Sequence, residues 1–242
     1  MNAPAETAGP IIRLSGVRFG YPGRPPVLDG LDFELRPGDR IGLAGPNGSG
    51  KTTFFHLIMG LVKPLAGRVE LFGADRTGDR DFRDVYPRVG LLFQDSDDQL
   101  FCPTVLEDVA FGPLNLGMER EAAAARARET LERLGLSGFE NRVAHRLSGG
   151  EKRMVALAAV LAMNPEALLL DEPSAGLDDA TRDRLAEVLV GLDVAFVLIS
   201  HEADFLERVA RRVHLMENGR VRTDAYVHTH AHVHPHTGHG HG

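Results

Sequence analysis

The sequence predicts an α/β fold with a mainly parallel sheet, an antiparallel β part at the N-terminal end and a helical subdomain inserted in the middle. Three observations carry this. Short apolar strands alternate with helical segments towards both ends of the chain, and a helix-only stretch of about 95–164 separates them. A glycine-rich loop at 45–53 lies directly between a predicted strand and a predicted helix.

In chain order, strands at 11–19 and 27–35 flank the turn Tyr21-Pro22-Gly23, and Pro25-Pro26 breaks the connection between them. Residues 40–44 form a short apolar strand that runs into the glycine loop, and 51–61 continue as a helix. Strands at 68–72 and 88–93 precede helices at 105–116, 120–134 and 151–162; the alanine-rich part, 121–130, has high intrinsic helix propensity. Strands resume at 167–170, 195–199 and 213–216, with helices at 180–190 and 202–211 between them. The expected organisation is a flexible N-terminus at 1–10, one folded domain at 11–224 and a disordered histidine-rich tail at 225–242, which has no apolar periodicity with which to fold.

Bulk properties remove several classes. At 242 residues the chain is long enough to bury a proper core. A formal charge of -7 leaves no general basic surface for a nucleic-acid backbone. A single cysteine, Cys102, excludes an internal disulfide framework and suits a reducing compartment, where it reads as a small buried apolar residue. The longest apolar run, 154–163, is half of the ~20 residues a membrane span needs. The first ten residues lack both the basic start and the apolar stretch of a secretory signal.

The loop Gly45-Pro46-Asn47-Gly48-Ser49-Gly50-Lys51-Thr52-Thr53 suits phosphate chemistry. Its glycines let backbone N–H groups face the phosphates, Lys51 reaches the terminal ones, and the Thr52 hydroxyl can ligate magnesium. A chance glycine loop is the competing reading, which the flanking strand and helix weaken. Apolar residues 167–170 lead into Asp171, placing a carboxylate at the carboxyl end of a buried strand, where the magnesium of a nucleotide would sit. Asp171 as a cap of the next helix is the alternative, weakened by Pro173. Glu172 is the candidate for polarising an attacking water, because phosphoryl transfer needs an oriented nucleophile and little covalent help.

With Leu147-Ser148-Gly149-Gly150-Glu151 added to these two elements, the chain resembles the ATP-binding subunits of ABC transporters over about 11–223. That resemblance implies a P-loop NTPase core of the ABC type, with ATP and Mg2+ as cofactors. It also implies that Ser148, Gly149 and Gly150 bind the terminal phosphate of ATP held by a second subunit. A helix starting there offers free N–H groups and the positive end of its dipole to an anion. Ser148 with Glu151 equally fits a plain capping box, and both roles can coexist. By the same resemblance, Gln94 touches the magnesium or the water and reports to a membrane partner, and Thr52, Gln94 and Asp171 surround the Mg2+. Ser174-Ala175-Gly176-Leu177-Asp178 resembles the loop that crosses the dimer interface, with serine where threonine is commoner. His201 looks like the histidine that contacts the terminal phosphate, against the plainer reading of a structural histidine. Tyr21 occupies the place of the aromatic that stacks on adenine, with a turn residue packing on the core as the alternative.

Within that family, 94–101 followed by 104–113 is similar to the energy-coupling-factor importers of metals and vitamins, with Asp95-Ser96 where Asn-Pro is commoner. In such importers this segment forms a groove for helices of a transmembrane partner. Asp95, Asp97 and Asp98 either receive a basic group from that partner or form a solvated acidic loop. In the tail, His228, His230, His232, His234 and His236 alternate, and His239 and His241 follow. An extended chain sets alternate imidazoles about 7 Å apart on one face, a set of ligands suited to nickel, cobalt, copper or zinc. A polar tail, a metal buffer and a purification tag compete, the tag weakened by the interleaved Thr, Ala, Val and Pro.

The resulting expectation is a peripheral ATP hydrolase on the cytoplasmic face of the cell membrane. It would pair head to tail with a second, identical ATPase subunit and join integral membrane subunits, binding no nucleic acid and powering import of cobalt or nickel. The same engine driving uptake of a vitamin or other small solute is the alternative. A soluble ABC ATPase acting on nucleic acid or ribosomes ranks lower, since the chain has neither a coiled-coil insertion nor a second cassette.

Overall fold

The computed structural model describes residues 9–223. His228, His230, His232, His234, His236, His239 and His241 lie outside the described residues, as does most of the N-terminal stretch. The elements in order are β1 (Ile12–Phe19), β2 (Leu28–Leu35), β3 (Arg40–Ala44), α1 (Lys51–Ile58), β4 (Ala66–Leu71), β5 (Ala74–Asp75), β6 (Val89–Leu92), α2 (Val105–Asn115), α3 (Arg120–Arg133) and α4 (Gly149–Ala162). They continue with β7 (Ala167–Asp171), α5 (Asp179–Gly191), β8 (Ala195–Ile199), α6 (Ala203–Val209), β9 (Arg212–Glu217) and β10 (Arg220–Arg222).

β1, β2, β4 and β5 form an antiparallel sheet in the order β2-β1-β4-β5. The register of β1 shifts between Leu14 and Val17, where Gly16 takes φ +57°, so the buried residues change from even to odd positions along the strand. The larger sheet has the order β10-β9-β3-β8-β7-β6, parallel from β9 to β6, with β10 antiparallel at one edge.

Every residue of β7 and β8 is buried, as expected of parallel strands covered on both faces. Alternation along them feeds two cores. Leu169, Val197 and Ile199 join the antiparallel sheet and Phe54, Phe55, Leu57 and Ile58 of α1 on one face. Leu168, Leu170, Phe196 and Leu198 join α2, α3, α4, α5 and α6 on the other. The helices between β6 and β7 therefore form a layer on the second face of the sheet.

Several boundaries differ from the sequence expectation for visible reasons. α1 stops at Ile58 because Gly60 turns at φ +69° with the Phe82 ring against it, where an added Cβ would stand 2.6 Å away. Phe72, at φ +55°, leaves the strand that the sequence carried through it. α4 begins at Gly149 because Ser148 caps it reciprocally with Glu151. β5 and β10, of two and three residues, are too short to leave a periodicity in the sequence.

Candidate nucleotide site

β3 ends at Ala44, and the next residue can only be glycine. Gly45 sits at φ +151°, and a Cβ there would lie 2.2 Å from the Met216 carbonyl oxygen of β9. Gly50 turns the chain into α1 at φ +104° without a side-chain cap, leaving the first amides of the helix available to an anion. Lys51 folds back over the loop, its Nζ donating to the carbonyls of Gly45 (2.8 Å) and Pro46 (3.0 Å). Burial lowers the Lys51 pKa, while the nearby Glu172 and Asp171 carboxylates oppose that shift.

The Thr52 hydroxyl donates to Asp171 Oδ2 at 2.9 Å, joining the first turn of α1 to the carboxyl end of β7. Asp171 is buried, and burial raises its pKa against the Thr52 hydrogen bond and the charges of His56, Lys51 and Arg153. Glu172 follows in the left-handed region at φ +48°, and its amide donates to Ile199 O at 3.0 Å. This turn aims its side chain away from the strand and towards His201. The His201 amide donates to Glu172 Oε2 at 3.3 Å, and the ring Nε2 lies 3.3 Å from Oε1. The ring contact lacks hydrogen-bond geometry, so Oε1 has no hydrogen-bond partner among the described residues. Burial also raises the Glu172 pKa, with His201 the main opposing influence.

One cavity of about 590 Å3 gathers Tyr21, Asn47, Gly48, Gly50, Lys51, Thr52, Thr53, Gln94, Asp171, Glu172 and His201. That volume lies within the range of small-molecule and cofactor pockets. Tyr21 packs edge-on against Phe19, and its hydroxyl lies 3.5 Å from Thr53 Oγ1. Gly45, Pro46 and Ser49 of the same loop do not line this cavity. A second cavity of about 660 Å3 shares Thr52, Gln94 and Asp171 and continues past Asp95, Asp97 and Asp98 to Gly149, Lys152 and Arg153.

Ser148, Gly150 and Asp178 line neither cavity. Ser148 caps α4, its Oγ accepting from the Glu151 amide at 3.2 Å while Glu151 Oε2 accepts from the Ser148 amide at 2.8 Å. Asp178 caps α5 by accepting from the Thr181 amide and hydroxyl, each at 2.9 Å. Both capping residues are exposed.

Arg153 is a residue that motif reading passes over. It is buried at 7 % exposure, and its guanidinium donates to the Phe93 and Gln94 carbonyls at 2.7 and 2.5 Å. No spacing marks it, because an arginine in the second turn of a helix ordinarily faces solvent.

The chain is similar to known proteins over most of its length. The ABC transporter family model matches residues 28–175. A putative ABC transporter ATP-binding protein of Nitratidesulfovibrio vulgaris is 52% identical over 92% of this chain and 83% of its own length. The cobalt import ATP-binding protein CbiO of Rhodobacter capsulatus is 44% identical, covering 88% of this chain and 77% of its own. The energy-coupling factor transporter ATP-binding protein EcfA of Methanothermobacter thermautotrophicus is 42% identical over 87% of this chain and 69% of its own. Among solved structures, CbiO1 of Clostridium perfringens, described as part of the ABC transporter complex CbiONQ, superposes with a TM-score of 0.81 at 30% identity, covering 88% of this chain and 87% of that one. A bacterial ABC transporter cassette solved as a dimer gives 0.78 at 28% identity, covering 87% and 96%. The chain therefore belongs to the ABC transporter family, as one of its ATP-binding, ATP-hydrolysing cassettes.

Proposed function

We propose that this chain is the ATPase subunit of an energy-coupling-factor importer, working as a head-to-tail pair of identical copies on the cytoplasmic face of the membrane and driving uptake of cobalt or nickel. The observation that carries the pairing is the separation within one chain. The glycine loop, Asp171, Glu172 and His201 share one cavity, whereas the capped start of α4 at Ser148 stands exposed outside it. A second copy would bring its own Ser148, Gly149 and Gly150 to the open side of that cavity, with Asp178 at the seam. Among the described residues no helix is long and apolar enough to cross a membrane, so integral subunits would supply the translocation path.

In this reading Lys51 Nζ exchanges its two carbonyl acceptors for phosphate oxygens, and Tyr21 stacks on the adenine. Glu172, whose Oε1 lacks a hydrogen-bond partner, orients the attacking water and accepts its proton, and His201 donates to the terminal phosphate. The hydroxyl of Thr52 and the carboxylate of Asp171, 2.9 Å apart, are the hard oxygen donors that magnesium takes, with Gln94 beside them. These residues would hold Mg2+, which when bound supplies charge neutralisation on the β- and γ-phosphoryl oxygens.

The cargo reading is supported by the cobalt import relative and by seven histidines among the last fifteen residues of the sequence. It is tested by uptake of labelled nickel and cobalt into cells that carry either this chain or its Glu172→Gln variant, with the membrane partners present in both. Uptake lost only in the variant supports an ATP-driven metal importer and identifies the ion. Equal uptake in both overturns the metal cargo and moves a vitamin or other small solute into its place.

A further inference from the structure

We propose that Arg153 is a positioning residue that ties the phosphate-contacting end of α4 to Gln94, so that ATP engaged at one site of the pair sets the geometry of the other. This rests on the shared-site reading above. The segment between β6 and α2 is gripped from two sides. At its base the Gln99 side chain accepts from the Phe93 amide and donates to the Leu91 carbonyl, both at 2.9 Å, which fastens the segment to the end of β6. From the other side two successive residues of α4 take hold: Arg153 donates to the Phe93 and Gln94 carbonyls, and further along the segment Lys152 Nζ pairs with Asp97 Oδ1 at 2.5 Å.

Arg153 is buried and planar and spends donors on two adjacent carbonyls, a bidentate grip that fixes direction as well as distance. Gln94 lines the nucleotide cavity with Lys51, Asp171 and Glu172, whereas the first residue of α4, Gly149, follows the Ser148 cap directly. A tilt or shift of α4 on meeting the partner's nucleotide therefore pulls the Gln94 backbone through one guanidinium. In the paired state each copy's α4 belongs to one ATP and its Gln94 to the other, so this contact joins the two sites.

The test uses the full chain and two readouts. ATP-driven dimerisation is followed by size-exclusion chromatography in the Glu172→Gln background, with Arg153 intact or changed to Ala or Lys. Steady-state ATPase against ATP concentration is measured with Glu172 intact. The expected result is that Arg153→Ala still dimerises at the same ATP concentration, but its kcat falls about 10-fold or more, KM moves less than about twofold, and the Hill coefficient drops to about 1. Arg153→Lys, which keeps the charge without the fork, recovers part of kcat. An unchanged kcat and Hill coefficient in Arg153→Ala overturns the proposal. So does dimerisation lost in step with activity, which would make Arg153 a structural strut. If Arg153→Ala loses its cooperative melt, Arg153→Lys carries the test under the same criteria. Failure of the Glu172→Gln chain with Arg153 intact to dimerise on ATP identifies the shared site as the error and overturns this proposal with it.

Discussion

At Gly45 one methyl group is too much: a Cβ would stand 2.2 Å from the Met216 carbonyl and 3.1 Å from Ser49 Oγ, at a φ that side chains rarely adopt. Gly45→Ala is expected to weaken ATP binding by at least about 10-fold, read by titration with a fluorescent nucleotide, while the thermal transition remains cooperative. A second residue gives a pH dependence. His214 is buried on β9 against Phe33, with Arg212, Asp39, Glu34 and Arg36 around the small cavity beside it, and its Nδ1 has no hydrogen-bond partner among the described residues. Burial, reinforced by Arg212 and opposed by Asp39, holds its pKa below the ordinary 6.5. The unfolded chain then binds this proton at a higher pH than the folded one. The stability associated with neutral His214 is full above about 6.5 and declines as pH falls below it towards the lowered pKa. His214→Leu should therefore lose less Tm than the parent chain between about pH 7.5 and about pH 5.5. Motif spacing marked Lys51, Thr52 and Asp171 as candidates, and the family resemblance marked His201; the structure places all four on one cavity. Motif spacing could not show Arg153 or His214, since what distinguishes those residues is burial by segments distant in sequence.

Among the elements, α2 offers a clean test of capping, because Thr104 and Glu107 bond reciprocally around its first turn and neither lines the nucleotide cavities. Thr104→Ala is expected to cost about 1 kcal/mol and lower Tm by about 2–4 °C, with ATPase activity retained. Strands such as β3, β7 and β8 were legible as short apolar runs, and α3 as an alanine-rich helix. Their order across the sheet was not, because a run buried on both faces states that it is covered without naming its neighbours. The helix starts at Lys51, Val105 and Arg120 were legible in the sequence, whether or not a side chain caps them. α4 starts at Gly149 on the Ser148–Glu151 box, two residues ahead of the expected 151, and α1 ends early for a reason that lies in Phe82, a residue far along the chain.

For the molecule as a whole, the two cores share one sheet, and neither closes without it. Val105, Val109, Leu131, Val155 and Leu157 of the inserted helices lie in the same buried cluster as Leu168, Leu170, Phe196 and Leu198. Replacing 95–164 by a short linker would bare that face, and the shortened chain is expected to show no cooperative thermal transition and to precipitate on expression. The strand order has a further consequence, one of timing. β3, which delivers the chain to the phosphate loop, pairs only with β8 and β9, the strands made near the end of the chain. At typical synthesis speeds, roughly 8–30 s separate the appearance of Lys51 from that of His201 at the ribosome. Throughout that interval both edges of β3 lack the strands that will pair with them. Until β8 and β9 emerge, a nascent chain of this protein therefore carries an open apolar edge along β3, the kind of edge that pairs with other chains when it is left uncovered.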